Sequence, residues 1–399
     1  MRISSNTLFD SNVALLGQQQ TRLLHTQQQV ASGRRILTAA DDPAAAARAL
    51  EITQSDAMNT QYAANRIAAR HTLSLAESNL QSVTSLLQDV QTAVVNAGNG
   101  SLNNSDRKTI ATELGGRLQE LIGLANSTDG LGNYLFAGFQ SKTPPFVDTP
   151  TGIGYFGDDG QHNVQVSATR QIASSDSGAD MFMRVKNGNG TFISQAAAAN
   201  TGTGVISSGS VTNPAALVAG NSYSISFSLV AGVMNYTVTG APVALAAPVT
   251  GAYVSGQAIN FDGIQVDIQG TPAVTDTFTV TPSTNESVFK TISDLINALN
   301  GPVVGANLTN SLNRGLNNLD NALNNILTTR SSLGLRLNEI DVLQTTGEDL
   351  SLQYKQTLSV LQDVDYNKAI SDLTQQQMSL QAAQKSFTKI SELSLFSYL

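Results

Sequence analysis

The sequence predicts an α+β fold: an elongated, antiparallel, coiled-coil-like helical rod built from both chain ends, with an antiparallel β domain inserted in its middle. Three observations lead there. Residue usage changes twice along the 399 residues, from an Ala-, Leu-, Gln- and Asn-rich stretch to one rich in Gly, Thr, Ser, Val and Pro, and back again. Both outer stretches carry apolar residues at alternating three- and four-residue intervals, the period of a helix that buries one narrow seam. The middle stretch alternates apolar and polar residues, the period of a half-buried strand. The expected boundaries are residues 1–140 and 283–399 for the two halves of the rod and 141–282 for the insertion. Two independent helical domains flanking a β domain is the competing arrangement; two matching seams without partners of their own favour the single rod.

Taken in order, the N-terminal stretch carries Leu16, Leu23, Val30 and Leu37 one heptad apart, with companions Val13, Gln20 and Gln27 that are mostly polar. So thin a stripe cannot hold a helix alone. Asp41 and Asp42 precede Pro43 and AAAARALEI, which reads as a turn with Asp42 as helix cap and Pro43 in the first helical position. Arg34 and Arg35 stand close enough in sequence to pair with these carboxylates. Ala69, Leu73, Ala76, Leu80, Val83, Leu87, Val90, Val94 and Ala97 then form the strictest seam in the chain, ended by NAGNG. Ser105 is the expected cap of the next helix, which carries Ile110, Leu114, Leu118 and Leu121.

In the insertion, Tyr223, Ile225, Phe227 and Leu229 alternate with serines, Tyr236 and Val238 with threonines, and Ile264, Val266 and Ile268 follow an FDG turn. No charged residue occurs between Asn187 and Phe261. The strands are few and lack aromatic girdles, so a small soluble sandwich or barrel fits better than an outer-membrane barrel. Helical spacing returns with Leu316, Leu319, Leu323, Ile326, Leu333, Leu337, Ile340, Tyr354, Leu358 and Leu361. DVDYN interrupts it, and a last helix places Leu373, Leu380 and Phe387 one heptad apart.

Composition excludes much chemistry. Lys plus Arg is 22 against 30 for Asp plus Glu, a net charge of −8, so no basic excess exists to bind nucleic acid. With no cysteine there is no disulfide, thiolate–metal site or thiol nucleophile. Gly152-Ile-Gly154-Tyr-Phe-Gly157 matches a dinucleotide fingerprint but lacks the strand-then-helix setting and reads as a turn. Asp158-Asp159-Gly160 lacks the spacing of a calcium loop. His25, His71 and His162 have no partners at metal-ligand spacing. No catalytic, cofactor or metal site is expected, and no apolar run is long enough to insert in a membrane or to act as an ordinary signal peptide. The terminal helices are instead unusual in lacking charge: Arg22 is alone between Ser11 and Gly33, and nothing is charged between Asp372 and Lys385. Glutamine tolerates burial better than a charge does, so these helices are expected to become covered by other copies or partners. Leu16, Leu23, Val30, Leu37, Leu373, Leu380 and Phe387 are the expected assembly interface.

MRISSN at the start, VASGRRILTAADDPAAAA and NRIAARHTLSLAESNLQ in the first half, RSSLGLRLNEID and LQDVDYNKAISDLTQQQMSLQAAQ in the second resemble the two ends of bacterial flagellins and flagellin-like proteins. Within that superfamily, NYLFAGFQSKTPPF and FTVTPSTNESVFKTISDLINAL are similar to the hook-associated protein 3 family, which joins hook to filament. The resemblance implies a non-enzymatic axial protein of the flagellum, extracellular, supporting filament attachment and motility. It implies export, unfolded, through the flagellar type III apparatus without a cleaved signal peptide, with a chaperone's help. It also implies self-assembly into a helical tube lined by the terminal helices, with another hook-associated protein on the hook side and flagellin or flagellin-proximal subunits on the filament side. A minor or atypical flagellin is the alternative.

Overall fold

A computed structural model describes residues 5–302 and 305–396; most of the MRISSN opening and the last three residues lie outside the described residues. Three helices come first, α1 (Ser5–Ser32), α2 (Pro43–Ala97) and α3 (Asn104–Ala125). Short strands follow: β1 (Phe146–Thr149), β2 (Gly152–Tyr155), β3 (Asn163–Ser167), β4 (Arg170–Ala173), β5 (Val185–Lys186), β6 (Phe192–Ala196), β7 (Val205–Ile206) and β8 (Ser210–Val211). Then come β9 (Ser222–Val230), β10 (Val233–Ala241), β11 (Val249–Ala252), β12 (Ala258–Phe261), β13 (Ile264–Gln269), β14 (Thr277–Pro282) and β15 (Asn285–Glu286). Three helices close the chain, α4 (Val288–Asn300), α5 (Ala306–Gln362) and α6 (Tyr366–Phe396). The expected fold class holds: helices from both ends flank an inserted antiparallel β region. The residues group into two compact units, Asn65–Asp341 and Met1–Ala64 with Val342–Leu399.

The larger unit is organised by the predicted seam of α2. Leu73, Leu80, Val83, Leu87, Val90 and Val94 are all fully buried. On α5 the buried positions are Leu308, Leu312, Leu319, Ala322, Ile326, Leu333 and Ile340. This register differs from the expected one: Leu316 and Leu323 are only half-buried, and Gly315 and Ala322 hold the core positions beside them. A Cβ on Gly315 would stand 2.4 Å from Leu295 of α4, so glycine is there to let the two helices approach. The cap of α3 is also corrected. Asn103, not Ser105, accepts from the N–H groups of Ser105 and Asp106, and Asp106 returns the bond to the Asn103 N–H. On that helix Leu114 and Leu121 are buried, but Ala111 and Ala125 complete the face where Ile110 and Leu118 were expected.

The β region is two bodies. Around β1–β5, Phe146, Phe182 and Phe289 stack with ring centroids 5.2–5.9 Å apart, tying these strands to α4. Beyond them, sheet β11-β10-β9-β14-β6 and sheet β12-β13-β7 enclose a separate core that includes Tyr223, Ile225, Phe227, Val266, Ile268, Phe278 and Val280. The FDG turn joins β12 to β13 with positive φ at both Asp262 and Gly263, the left-handed pair a two-residue hairpin needs. A row of asparagines on α5 holds both bodies. Asn310 accepts from the Ile206 N–H and donates to the Gly204 carbonyl, both at 3.0 Å. Asn321 donates to the carbonyls of Lys186 and Gly188, and Asn325 to those of Asp180 and Met181.

Candidate assembly interface

In the smaller unit α1 and α6 pack against each other in opposite directions. Their joined ends meet where the Val364 N–H donates to the Gly33 carbonyl, and their far ends where the rings of Phe9 and Phe387 lie 5.2 Å apart. The stripe residues Leu16, Leu23 and Val30 of α1, and Leu373, Leu380 and Phe387 of α6, are half-buried along this contact. Their companions are Gln19 and Thr26 on one helix and Ala369 and Gln376 on the other; Val13, Gln20 and Gln27 face outward. Leu37 is not on α1, which ends at Ser32, but in the loop beyond it.

The polar companions leave the contact incompletely closed. The side-chain oxygens of Gln19 and Gln376 are buried and find no protein partner. Beside them lies a cavity of about 300 Å³ lined by Gln19, Arg22, Asp372, Gln375, Gln376 and Ser379. Large apolar side chains on the outer faces are exposed, among them Val13, Leu15 and Leu24 of α1 and Tyr366, Ile370 and Met378 of α6.

What holds this unit is a clamp between two segments that lie more than 300 residues apart in sequence, SGRRILTAADDP and LQDVDY. The Arg35 N–H donates to the Gln362 carbonyl at 2.6 Å, and the Arg35 guanidinium reaches the Leu361 carbonyl at 2.8 Å and Asp42 at 3.2 Å. Asp42 also accepts from the Ala45 N–H at 3.0 Å, and Pro43 begins α2. Asp41 accepts from the N–H groups of Leu37 and Thr38 and stands 2.9 Å from His25 Nε2, linking α1 to the turn. The Thr38 N–H, with Leu37 and His25 behind it, holds the Asp41 carboxyl below the usual range. Asp42 is lowered by the Ala45 N–H first and by Arg35 second. Gly33, at φ +70°, ends α1, and a Cβ there would come within 3.0 Å of the Tyr366 hydroxyl. The backbone conformation calls for glycine.

The charged residues of RSSLGLRLNEID serve the larger unit in the same way. Arg330 pairs with Glu77 at 2.7 Å, Arg336 with Asp176 at 2.6 Å, Glu339 with Arg170 at 2.5 Å and Asp341 with Arg70 at 3.4 Å. In the sequence these residues are only part of a resemblance; the fold shows what each one ties together.

The fragments of catalytic motifs have structural uses. Gly152 and Gly154 lie in the β1–β2 hairpin. Asp158 accepts from the N–H groups of Phe139, Gln140 and Gly160, while Asp159 pairs with Arg184 at 2.6 Å. Among the described residues no group of three or more His, Asp or Glu is placed to hold a metal ion, and no helix is long and apolar enough to cross a membrane.

Comparison with known proteins finds matches at both ends of the chain and in the second β body. The bacterial flagellin N-terminal helical region matches residues 3–141, and the flagellin C-terminal helical region matches residues 316–399. The D2-like domain of flagellar hook-associated protein 1 matches residues 195–282, nearly coincident with the second β body. Flagellar hook-associated protein 3 of Salmonella typhimurium is 31% identical over 404 residues, covering 99% of each chain. The crystal structure of hook-associated protein 3 from Legionella pneumophila has 34% identity and a TM-score of 0.74 over 78% of this chain and 98% of its own. Flagellin of Listeria monocytogenes is 27% identical over 129 residues, only 32% of this chain. The chain therefore belongs to the flagellar hook-associated protein 3 family.

Proposed function

We propose that this chain is a structural, non-enzymatic axial protein of the bacterial flagellum that forms the junction between hook and filament. One observation carries the reading: the likeness to hook-associated protein 3 of Salmonella typhimurium runs through 99% of both chains, whereas flagellin of Listeria monocytogenes matches about a third of this one and the flagellin helical regions match its two ends. The protein acts outside the cell. It reaches that position by export as an unfolded chain, with chaperone help and without a cleaved signal peptide. A unit built without large buried side chains is compatible with such a route, because it costs little to unfold.

The helical halves, residues 1–140 and 283–399, carry assembly, and residues 141–282 face outward. Leu16, Leu23, Val30, Leu373, Leu380 and Phe387 set the pairing of α1 with α6, and Leu37 contributes from the loop. Neighbouring copies then cover the paired helices, with a hook-associated protein on one side and flagellin on the other. A repeated head-to-tail contact that does not close on itself builds a helical tube. A cryo-electron map of isolated hook–filament junctions tests the proposal. It is expected to show this chain as a short zone between hook and filament. Finding it distributed along the filament would establish a minor flagellin instead.

A further inference from the structure

Asn99, Asn187, Asn189 and Asn300 are each followed by glycine. In such a pair the glycine backbone nitrogen can attack the asparagine side-chain carbonyl, because the glycine has no β-carbon to crowd it. The fold treats the four pairs differently. Asn187 is buried and donates from its amide to Thr284 Oγ1 and Glu286, and the Gly188 N–H donates to Asn318 Oδ1 at 2.9 Å. Asn189 donates from its amide to the Gly209 carbonyl, and the Gly190 N–H donates to the Asn187 carbonyl. Asn300 ends α4, where the Gly301 N–H donates to the Asn297 carbonyl at 3.0 Å. In all three the attacking nitrogen is engaged. Asn99 and Gly100 lie instead in the exposed turn between α2 and α3. Among the described residues, neither the Gly100 N–H nor Asn99 Nδ2 has a hydrogen-bond partner. Asn99 Oδ1 accepts two bonds, from the Ser101 N–H at 3.0 Å and from Ser101 Oγ at 2.9 Å. They fold the Asn99 side chain forward over the Gly100 peptide. They also aim two donors at the atom where negative charge develops when Cγ is attacked.

We propose that Asn99 is a site of self-modification, at which the folded chain exchanges the side-chain amide for a carboxylate through a succinimide ring. Hydroxide from solvent takes the Gly100 amide proton, the nitrogen bonds to Asn99 Cγ, and the charge collects on Oδ1 between the two Ser101 donors. As the carbonyl re-forms, the Cγ–Nδ2 bond breaks and Nδ2 leaves as ammonia with a proton from water. A second water then opens the ring. Breaking the bond from the Gly100 nitrogen to Cγ gives aspartate; breaking the bond to the Asn99 backbone carbonyl carbon gives isoaspartate. Nothing is oxidised or reduced. Either product sets a new negative charge just beyond the end of α2, which is already the negative end of the helix dipole. Isoaspartate also adds a backbone carbon to the turn that leads into α3. The inference does not depend on the assembly proposed above.

The test incubates full-length protein at mildly alkaline pH, folded in one sample and unfolded in guanidinium in another. Peptide mass spectrometry then follows the exchange of NH2 for OH at each asparagine–glycine pair. In the folded protein Asn99 is expected to convert at least as fast as in guanidinium, whereas Asn187, Asn189 and Asn300 convert only in guanidinium. Gly100→Ala is expected to abolish the reaction at Asn99 over the same period. A Cβ on Gly100 meets nothing within 4 Å, so the fold accepts it, yet it stands beside the attacking nitrogen. Ser101→Ala is expected to slow conversion of Asn99 about threefold to tenfold, the range that one net hydrogen bond gives. That slowing is expected in the folded protein and not in guanidinium, which separates a carbonyl held by donors from one that is merely exposed. Asn99 that stays intact in the folded protein, or converts more slowly there than in guanidinium, overturns the proposal. So does a folded Ser101→Ala variant that reacts as fast as the parent.

Discussion

Residues 65–341 and the unit formed by residues 1–64 with 342–399 are both built on long helices with seams at three- and four-residue spacing, yet they are held together differently. The larger unit buries leucines, valines and phenylalanines completely. In the smaller one the only apolar side chains that reach full burial, among the described residues, are Ala45, Ala49 and Ala369. Its seam is interrupted by Gln19, Thr26 and Gln376, and its order comes from the hydrogen-bonded clamp around Arg35, Asp41 and Asp42. Periodicity therefore announces which side of a helix is apolar, while the residues between announce whether that side can close. A seam interrupted by polar side chains such as Gln19, Thr26 and Gln376 remains available to further partners.

The contrast can be broken most forcefully at its apolar positions. Leu80→Ala in the larger unit is expected to cost roughly 2–5 kcal/mol in denaturant melts of the purified chain, because the cavity cannot collapse. Leu380→Ala in the smaller unit is expected to cost less than about 1 kcal/mol in the same melts. The same Leu380→Ala is nevertheless expected to leave cells shedding filament protein into the medium, since its cost falls on the assembled state. A melt of Leu380→Ala as severe as that of Leu80→Ala would erase the distinction, and normal filament attachment would remove the stripe from the interface.

Ion pairs give a smaller effect. Arg336→Ala leaves Asp176 largely enclosed without its partner and removes a 2.9 Å bond to the Ala173 carbonyl. A loss of about 2 kcal/mol is expected, read from the same melts. The helix cap is smaller again. Asp42→Ala is expected to speed amide exchange near Ala45 and Ala46 while exchange in α3 stays unchanged. Protection lost throughout the chain would mean that the clamp supports both units.

The last effect is on pH. Asp41 and Asp42 both have carboxyl groups lowered relative to the unfolded chain, so their contribution is present above the usual aspartate value of about 3.9. It is lost as pH falls through their lower folded values. Amide exchange around residues 37–45 is expected to accelerate below about pH 4. Asp41→Asn and Asp42→Asn together should flatten that response; an acid response that persists unaltered in the double variant would place its origin elsewhere.

Some of this protein is fully determined by local sequence. The seam from Ala69 to Ala97 is legible because each apolar side chain falls on one face of a helix, and the FDG hairpin because only a few residues accept its backbone angles. The turn at Asp41–Pro43 is legible for the same local reason: a carboxylate and a proline suit the open N–H groups of a starting helix. Tertiary structure decided the rest. It set the register of α5, where Gly315 and Ala322 hold core positions; at Gly315 the reason is the close approach of Leu295 on α4, a fact no hydrophobic pattern contains. It turned Asn310, Asn321 and Asn325 from polar filler into the attachment of both β bodies, because backbone carbonyls from segments distant in sequence arrive in front of them. It also brought Gly33 and Arg35 against Gln362, Val364 and Tyr366. Hydrogen bonds between segments so far apart leave no period in the sequence, since they depend on where two chain ends meet and not on the spacing within either.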